Sequence, residues 1–305
     1  MWSFNLLAAT RTIEKSMPFV LYRFLFCLGV SVGFLFAALA GAGTAIGVGS
    51  LARNANALGP FGAVLGFAGF GYLSYRLRPW WLHAIVAPQL ALLAERAKGE
   101  PIPEGKAQIE YATQRLSQGL PSASELFQLD RTLQTSLMEV AEADAASTAA
   151  QRHPHAARIL TRIIGRLAAL NHQTILAWYF FSRADNPWRT AVTGVTVQHR
   201  HFSRLVSDRL FATLFTGAGF VAAYPLLFVA IDKIVAGLPV SVSFWPYVFA
   251  GLFSWGLTAA FFAPIAEAAM MQSFFPLAEE GSDPGQEAQL ERYSQAFRAL
   301  REKVS

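Results

Sequence analysis

The sequence predicts an all-α, polytopic membrane protein with four transmembrane helices, interfacial amphipathic helices, and a cytoplasmic helical module between the second and third spans. Three observations carry this. From Phe19 to Gly49 the chain reads FVLYRFLFCLGVSVGFLFAALAGAGTAIGVG, with no Asp, Glu, Lys or Arg between Arg23 and Arg53. A run of that length exceeds the roughly 20 apolar residues that cross a hydrocarbon core. Further apolar stretches follow near residues 57–75, 210–231 and 244–268, separated by a long polar stretch of helical period. The composition agrees: 53% of the 305 residues are hydrophobic and 15% charged, against about 25% charged in soluble domains.

Met1 to Pro18 is a short amphipathic leader, with Arg11, Lys15 and then Arg23 as positive anchors at the cytoplasmic interface. The first span follows. Ala38-Leu39-Ala40 resembles a signal-peptide cleavage site, but the apolar run is longer than a signal core, so the segment is expected to be retained. The lone Cys27 excludes an intramolecular disulfide and is expected to pack or face lipid. Gly41, Gly43, Gly47 and Gly49 strip side chains from one face of this helix, which lets another helix approach closely. Its expected partner is the next helix, carrying Gly62, Gly66 and Gly69, and the same faces suit an oligomer interface. Rotor rings of ATP synthases have comparable glycine faces but need a carboxylate, and Gly59 to Tyr75 has none.

The second span, about Ala57 to Tyr75, ends at Arg76-Leu77-Arg78-Pro79-Trp80-Trp81, where cationic and amphipathic side chains suit the headgroup level. Pro79 suits the start of a new helix, and Trp80 to Lys98 is expected to lie along the interface. Residues 99–209 form the polar helical module. Ser122 and Glu125 read as a capping box before a stripe of Leu126, Leu129, Leu133, Leu137 and Val140.

The next helix is expected to run from His155 to Phe181. Arg158, Arg162 and Arg166 recur every four residues, drifting only about 40° per step, so they form one basic ridge. Opposite it fall Ile159, Ile163, Ile164, Leu167 and Leu170, and Trp178 to Phe181 make an aromatic end. This ridge is the candidate site, for anionic lipid in the cytoplasmic leaflet or for a solute anion, with salt bridges inside the chain as the alternative. His199 and His201, like His153 and His155, point to different sides of a helix, and no metal site is expected.

The third span covers about Leu210 to Ile231 with a kink at Pro225; the fourth covers about Phe244 to Ala268, bent by Pro264, with Glu267 marking its exit. The expected domains are therefore 1–98 (first hairpin with N-terminal and interfacial helices), 99–209 (module), 210–275 (second hairpin) and 276–305 (cytoplasmic polar tail). Of 25 Lys and Arg residues, 16 lie between Arg76 and Arg209, which puts the module and both termini in the cytoplasm. Ala84-Ile-Val-Ala-Pro88 after the second span matches Ala260-Phe-Phe-Ala-Pro264 at the end of the fourth, hinting at a duplicated hairpin.

Ile85-Val-Ala-Pro88-Gln-Leu-Ala-Leu92-Leu93-Ala94-Glu95, followed by Gly99 and Pro101, resembles the end of the second helix in the CysZ-like family of bacterial sulfate-uptake membrane proteins, where I-x-A-P precedes L-L-A-E at the same spacing. The resemblance spans about residues 81–101. It implies an oligomeric, ATP-independent permease for sulfate or a similar anion in a bacterial inner membrane.

The spans offer no intramembrane Asp, Glu, His or Lys, so neither an enzyme nor a proton-coupled pump is expected, and no cofactor is implied. The leading expectation is an oligomeric passive channel or permease for a small solute, which the resemblance implies to be an anion such as sulfate. The alternative is a non-transporting scaffold or accessory subunit whose cytoplasmic helices bind anionic lipid or a protein partner. The partners expected are membrane lipids and further copies of the chain, with no nucleic acid.

Overall fold

The computed structural model describes residues 2–51, 55–149, 154–236 and 244–304, and among these every regular element is helical. In chain order they are α1 (Leu6–Glu14), α2 (Met17–Leu51), α3 (Ala55–Arg76), α4 (Arg78–Trp81), α5 (Ala87–Ala97), α6 (Ala107–Gly119), α7 (Ala123–Ala149) and α8 (Pro154–Ala169). Then follow α9 (His172–Ser182), α10 (Pro187–Arg200), α11 (Phe202–Ala236), α12 (Trp245–Leu257), α13 (Ala263–Ala278), α14 (Pro284–Tyr293) and α15 (Gln295–Glu302). Among the described residues, three helical stretches are long and apolar enough to cross a membrane: Met17–Ser50, Phe202–Ile234 and Trp245–Ala278. The second expected span, α3, is not among them. Residues 52–54 and 237–243 lie outside the described residues.

Contacts divide the chain into two units: Met1–Phe19, Leu82–Phe215 and Pro264–Ser305 form one, and Val20–Trp81 with Thr216–Ala263 form the other. The N-terminal helix, residues 82–98 and the C-terminal tail all belong with the polar helices of the module.

In the second unit, α2 and α3 meet backbone to backbone. A Cβ at Gly41 would collide with the Gly62 carbonyl, one at Gly62 with the Gly41 carbonyl, and one at Gly66 with that of Ala37. Close approach of this kind yields van der Waals contact where lipid removes any hydrophobic drive between helices. Around it, Phe34 packs on Phe67 and Phe70, and Trp245 stacks on Phe249 beside Ala38 and Ala63. Cys27 is buried, with Ser31 donating to its carbonyl at 3.1 Å and to that of Leu252 at 3.3 Å.

Both Ala-Pro sequences noted above share one local solution. Leu82–Val86 and Thr258–Phe262 are π-helical turns, each followed directly by Ala-Pro. Ala263 N–H reaches back five residues to the Thr258 carbonyl. That widening relieves the clash of the Pro264 ring with the preceding turn. Pro225, by contrast, sits inside an uninterrupted α11.

In the first unit α5 is buried from Ala87 to Glu95, so this segment forms protein core where an interfacial helix was expected. The α7 stripe from Leu126 to Val140 is buried too, and Ser122 Oγ accepts from the Glu125 N–H at its start. The expected helix from His155 to Phe181 is two: Leu170 and Asn171 form a turn, and Trp178, Tyr179 and Phe180 of α9 are buried. Leu290, Phe297 and Leu300 anchor α14 and α15, with Glu139 of α7 accepting from Ser294 Oγ and Ala296 N–H.

Candidate functional site

Asp208 and Arg209, adjacent near the start of α11, each organise a buried polar cluster in the first unit. Arg209 is 3% exposed and Glu267, on α13, is 8% exposed. The guanidinium donates from Nη1 to Glu267 Oε1 at 2.6 Å and from Nη2 to Glu267 Oε2 at 3.1 Å, a bidentate fork. Its Nε donates to Asn171 Oδ1 at 2.6 Å, and Nη2 also reaches Thr174 Oγ1 at 2.9 Å. Thr174 Oγ1 donates to Glu267 Oε2 at 3.0 Å, and Asn171 Nδ2 to Gln198 Oε1 at 2.8 Å. One residue on, His172 lies 2.8 Å by Nδ1 from the Ala169 carbonyl and 3.3 Å by Nε2 from Asp130. The cluster thus ties α7, α9, α10, α11 and α13 together through the turn at Asn171.

The Asp208 carboxylate accepts from Ser3 N–H at 3.0 Å and from the hydroxyls of Ser3 and Ser273. Beside it Asn5 N–H donates to Gln272 Oε1 at 2.9 Å, and Gln272 Nε2 to the Asn5 carbonyl at 3.3 Å. Asn5 also caps α1 through Ala8 N–H. The N-terminal segment is therefore strapped to α11 and α13.

A third cluster centres on Glu95, which bonds Arg115 and Arg183, with Arg183 also reaching Glu100 at 3.2 Å. Arg183 closes α9 with φ +54°, a conformation that side-chain-bearing residues rarely adopt and that its bonds here hold in place. The hydrogen bond to Glu95 raises its pKa. Glu95, the last residue of the I-x-A-P…L-L-A-E stretch, is thus an internal anchor. Of the three, the Arg209 cluster sets buried charge against buried charge, whereas Asp208 is held by hydroxyl and backbone donors and Glu95 by two partly exposed arginines.

The sequence-derived candidates lie elsewhere. Arg158, Arg162 and Arg166 are all exposed on α8. Gly165, Ala168 and Ala169 form the buried side of this helix, with Gly165 against Glu142 of α7. Ile159, Leu160 and Ile163 project outward beside the arginines, 64%, 52% and 57% exposed. Of the glycines, Gly41, Gly62 and Gly66 are consumed inside one chain, Gly49 is buried, and Gly43, Gly47 and Gly69 face open space.

His199 is held by Asp144 at 2.9 Å, and that hydrogen bond lifts its pKa above the ordinary 6.5 against the opposing effect of burial. His201 lies 3.6 Å from Glu280, and His153 falls outside the described residues. Among the described residues no three His, Cys, Asp or Glu side chains gather to hold a metal ion.

Arg209 and Glu267 are the residues that sequence reading missed. It began the third span one residue after Arg209 and took Glu267 for an exit marker, whereas both sit within continuous helices. The available signal was one basic and one acidic residue, each embedded in an apolar helix. Comparison with family models, curated proteins and solved structures finds no match to this chain.

Proposed function

We propose that the chain is a four-span membrane protein, with α2, α3, α11 and the α12 to α13 stretch crossing the bilayer and the polar helices on the cytoplasmic side. In this reading it is a non-transporting scaffold or accessory subunit whose helical unit rests on anionic lipid through α8. The observation that carries the reading is the outward face of α8, where Ile159, Leu160 and Ile163 stand beside Arg158, Arg162 and Arg166. A helix with an uncovered apolar side and a basic flank suits the boundary between headgroups and acyl chains. Each arginine near an anionic surface contributes about 1 kcal/mol, so the three together contribute about 3 kcal/mol.

The test uses the full chain with Cys27→Ala and a polarity-sensitive dye on Ile163→Cys, reconstituted in vesicles. In anionic vesicles the emission should shift to the blue and be quenched by lipid-borne quenchers. Replacing the three arginines with glutamine should abolish the difference between anionic and neutral vesicles. A dye that stays solvent-exposed in anionic vesicles overturns the reading.

The second reading is an oligomeric passive permease for a small anion. It is favoured by Gly43, Gly47 and Gly69, whose faces are open to a neighbouring copy. Sulfate flux into proteoliposomes above that into empty vesicles, reduced by the three arginine replacements, would select it. The scaffold reading expects no such flux.

A further inference from the structure

We propose that a cleft between α1, α5, α9 and α13 binds one phospholipid with a phosphoethanolamine head, its phosphate on Arg96 and its ammonium on Glu279. The cleft has a volume of about 400 Å³, within the range of small-molecule sites. Helical spacing builds it. Leu93, Arg96 and Ala97 lie on one face of α5, while Met271 and Phe275 of α13 and Glu279, in the turn just after it, recur at intervals of four. Small residues at Ala8, Ala97 and Ala268 leave the space open.

The polar groups around the cleft differ in whether they are already engaged. Gln272 is taken up by both backbone groups of Asn5. Lys98 donates to the Phe181 carbonyl at 2.9 Å and lies over the Phe181 ring. The sequence neighbours Glu95 and Glu280 are ion-paired, to Arg115 and Arg183 and to Arg200 and His201 respectively. Arg96 and Glu279 make no ion pair among the described residues, either with each other or with any other group.

Two opposite charges left apart on one rim match a ligand that carries both signs. A guanidinium takes a phosphate as a bidentate partner, and a carboxylate accepts from a primary ammonium. The floor of Leu93, Met271, Phe275 and Phe181 asks for a hydrocarbon part, which excludes a fully water-soluble zwitterion. The volume suits the head and the first carbons of a chain, with the remaining acyl length outside. None of these residues belongs to α8, so the site stands or falls apart from the function proposed above.

The experiment is native mass spectrometry of the full chain, purified in detergent and offered equal amounts of phosphatidylethanolamine and phosphatidylglycerol, with thermal unfolding as the control for folding. One phosphatidylethanolamine should be retained per chain, about tenfold over phosphatidylglycerol. Glu279→Gln should erase that preference, Arg96→Gln should weaken both lipids about tenfold, and Ala268→Phe should block both by filling the cleft. Arg96 and Glu279 are not buried, so the unfolding temperatures of their variants should stay near the parent value. Ala97→Trp serves as a second filler should Ala268→Phe fail to fold. Equal retention of the two lipids by the parent chain, or retention unchanged by Arg96→Gln and the fillers, overturns the proposal. So does full competition by soluble glycerophosphoethanolamine, which would show a headgroup site without a lipid.

Discussion

Replacing Glu267 with glutamine keeps the shape of the side chain and removes the one negative charge that faces Arg209. The guanidinium would stay buried with neutral partners only, at Asn171 and Thr174. Removing one member of a buried pair costs about 3–5 kcal/mol, most of it the penalty of an uncompensated charge. Glutamine still offers one oxygen, so the lower end, about 3 kcal/mol, is expected. For a chain of this size that corresponds to a fall in unfolding temperature of roughly 6–12 °C. The double variant Arg209→Met with Glu267→Met removes both charges and leaves Asn171 and Thr174 short of partners, at about 1–3 kcal/mol per orphaned group. It is expected to cost about 2–6 kcal/mol, less than the sum of Arg209→Met and Glu267→Met alone at about 3–5 kcal/mol each. Tryptophan fluorescence during heating in detergent reads the parent, Glu267→Gln, the two single methionine variants and the double variant. A fall below about 2 °C for Glu267→Gln, or additive losses in the cycle, would refute the argument that this pair ties the helices together.

Gly62→Val drives a side chain into the Gly41 carbonyl and should cost about 1–3 kcal/mol or more in the same assay. A Cβ at Gly43 meets nothing within 4 Å among the described residues, so Gly43→Ala should not lower the unfolding temperature of the monomer, and any shift by size-exclusion light scattering reports a neighbouring copy. For His199 the folded pKa is raised, so its contribution to stability is complete below the unfolded value near 6.5 and is lost as pH rises through the folded one. Unfolding temperature should therefore decline in that window, and Asp144→Asn should flatten the decline; an unchanged profile in Asp144→Asn contradicts the assignment.

What the sequence disclosed depended on whether the signal was local. The α7 leucine stripe and its Ser122 cap are periodic features within one helix, and they were legible. The glycine pattern announced a close approach, and the structure supplies the pairing of Gly41 with Gly62 and Gly66. The break at Leu170–Asn171 was hidden because apolar residues continue on both sides. The turn is fixed by bonds from Asn171 to Gln198 and Arg209, which lie far along the chain. Residues 82–98 were read as interfacial for a related reason. An apolar stretch bounded by arginines has the same composition whether lipid or protein covers it, and only the packing of α5 decides. The partnership of Arg209 with Glu267 spans 58 residues, and no spacing rule joins them.

The central claim is that four helices cross a bilayer and leave the polar helical unit on the cytoplasmic side. Cysteine labelling in intact cells tests it most directly, using Cys27→Ala with single cysteines at the exposed positions Gln128 and Asp232. An impermeant maleimide should modify Asp232→Cys from outside and Gln128→Cys only after the membrane is opened. Labelling of Gln128→Cys from outside, or of both positions from the same side, would contradict the account.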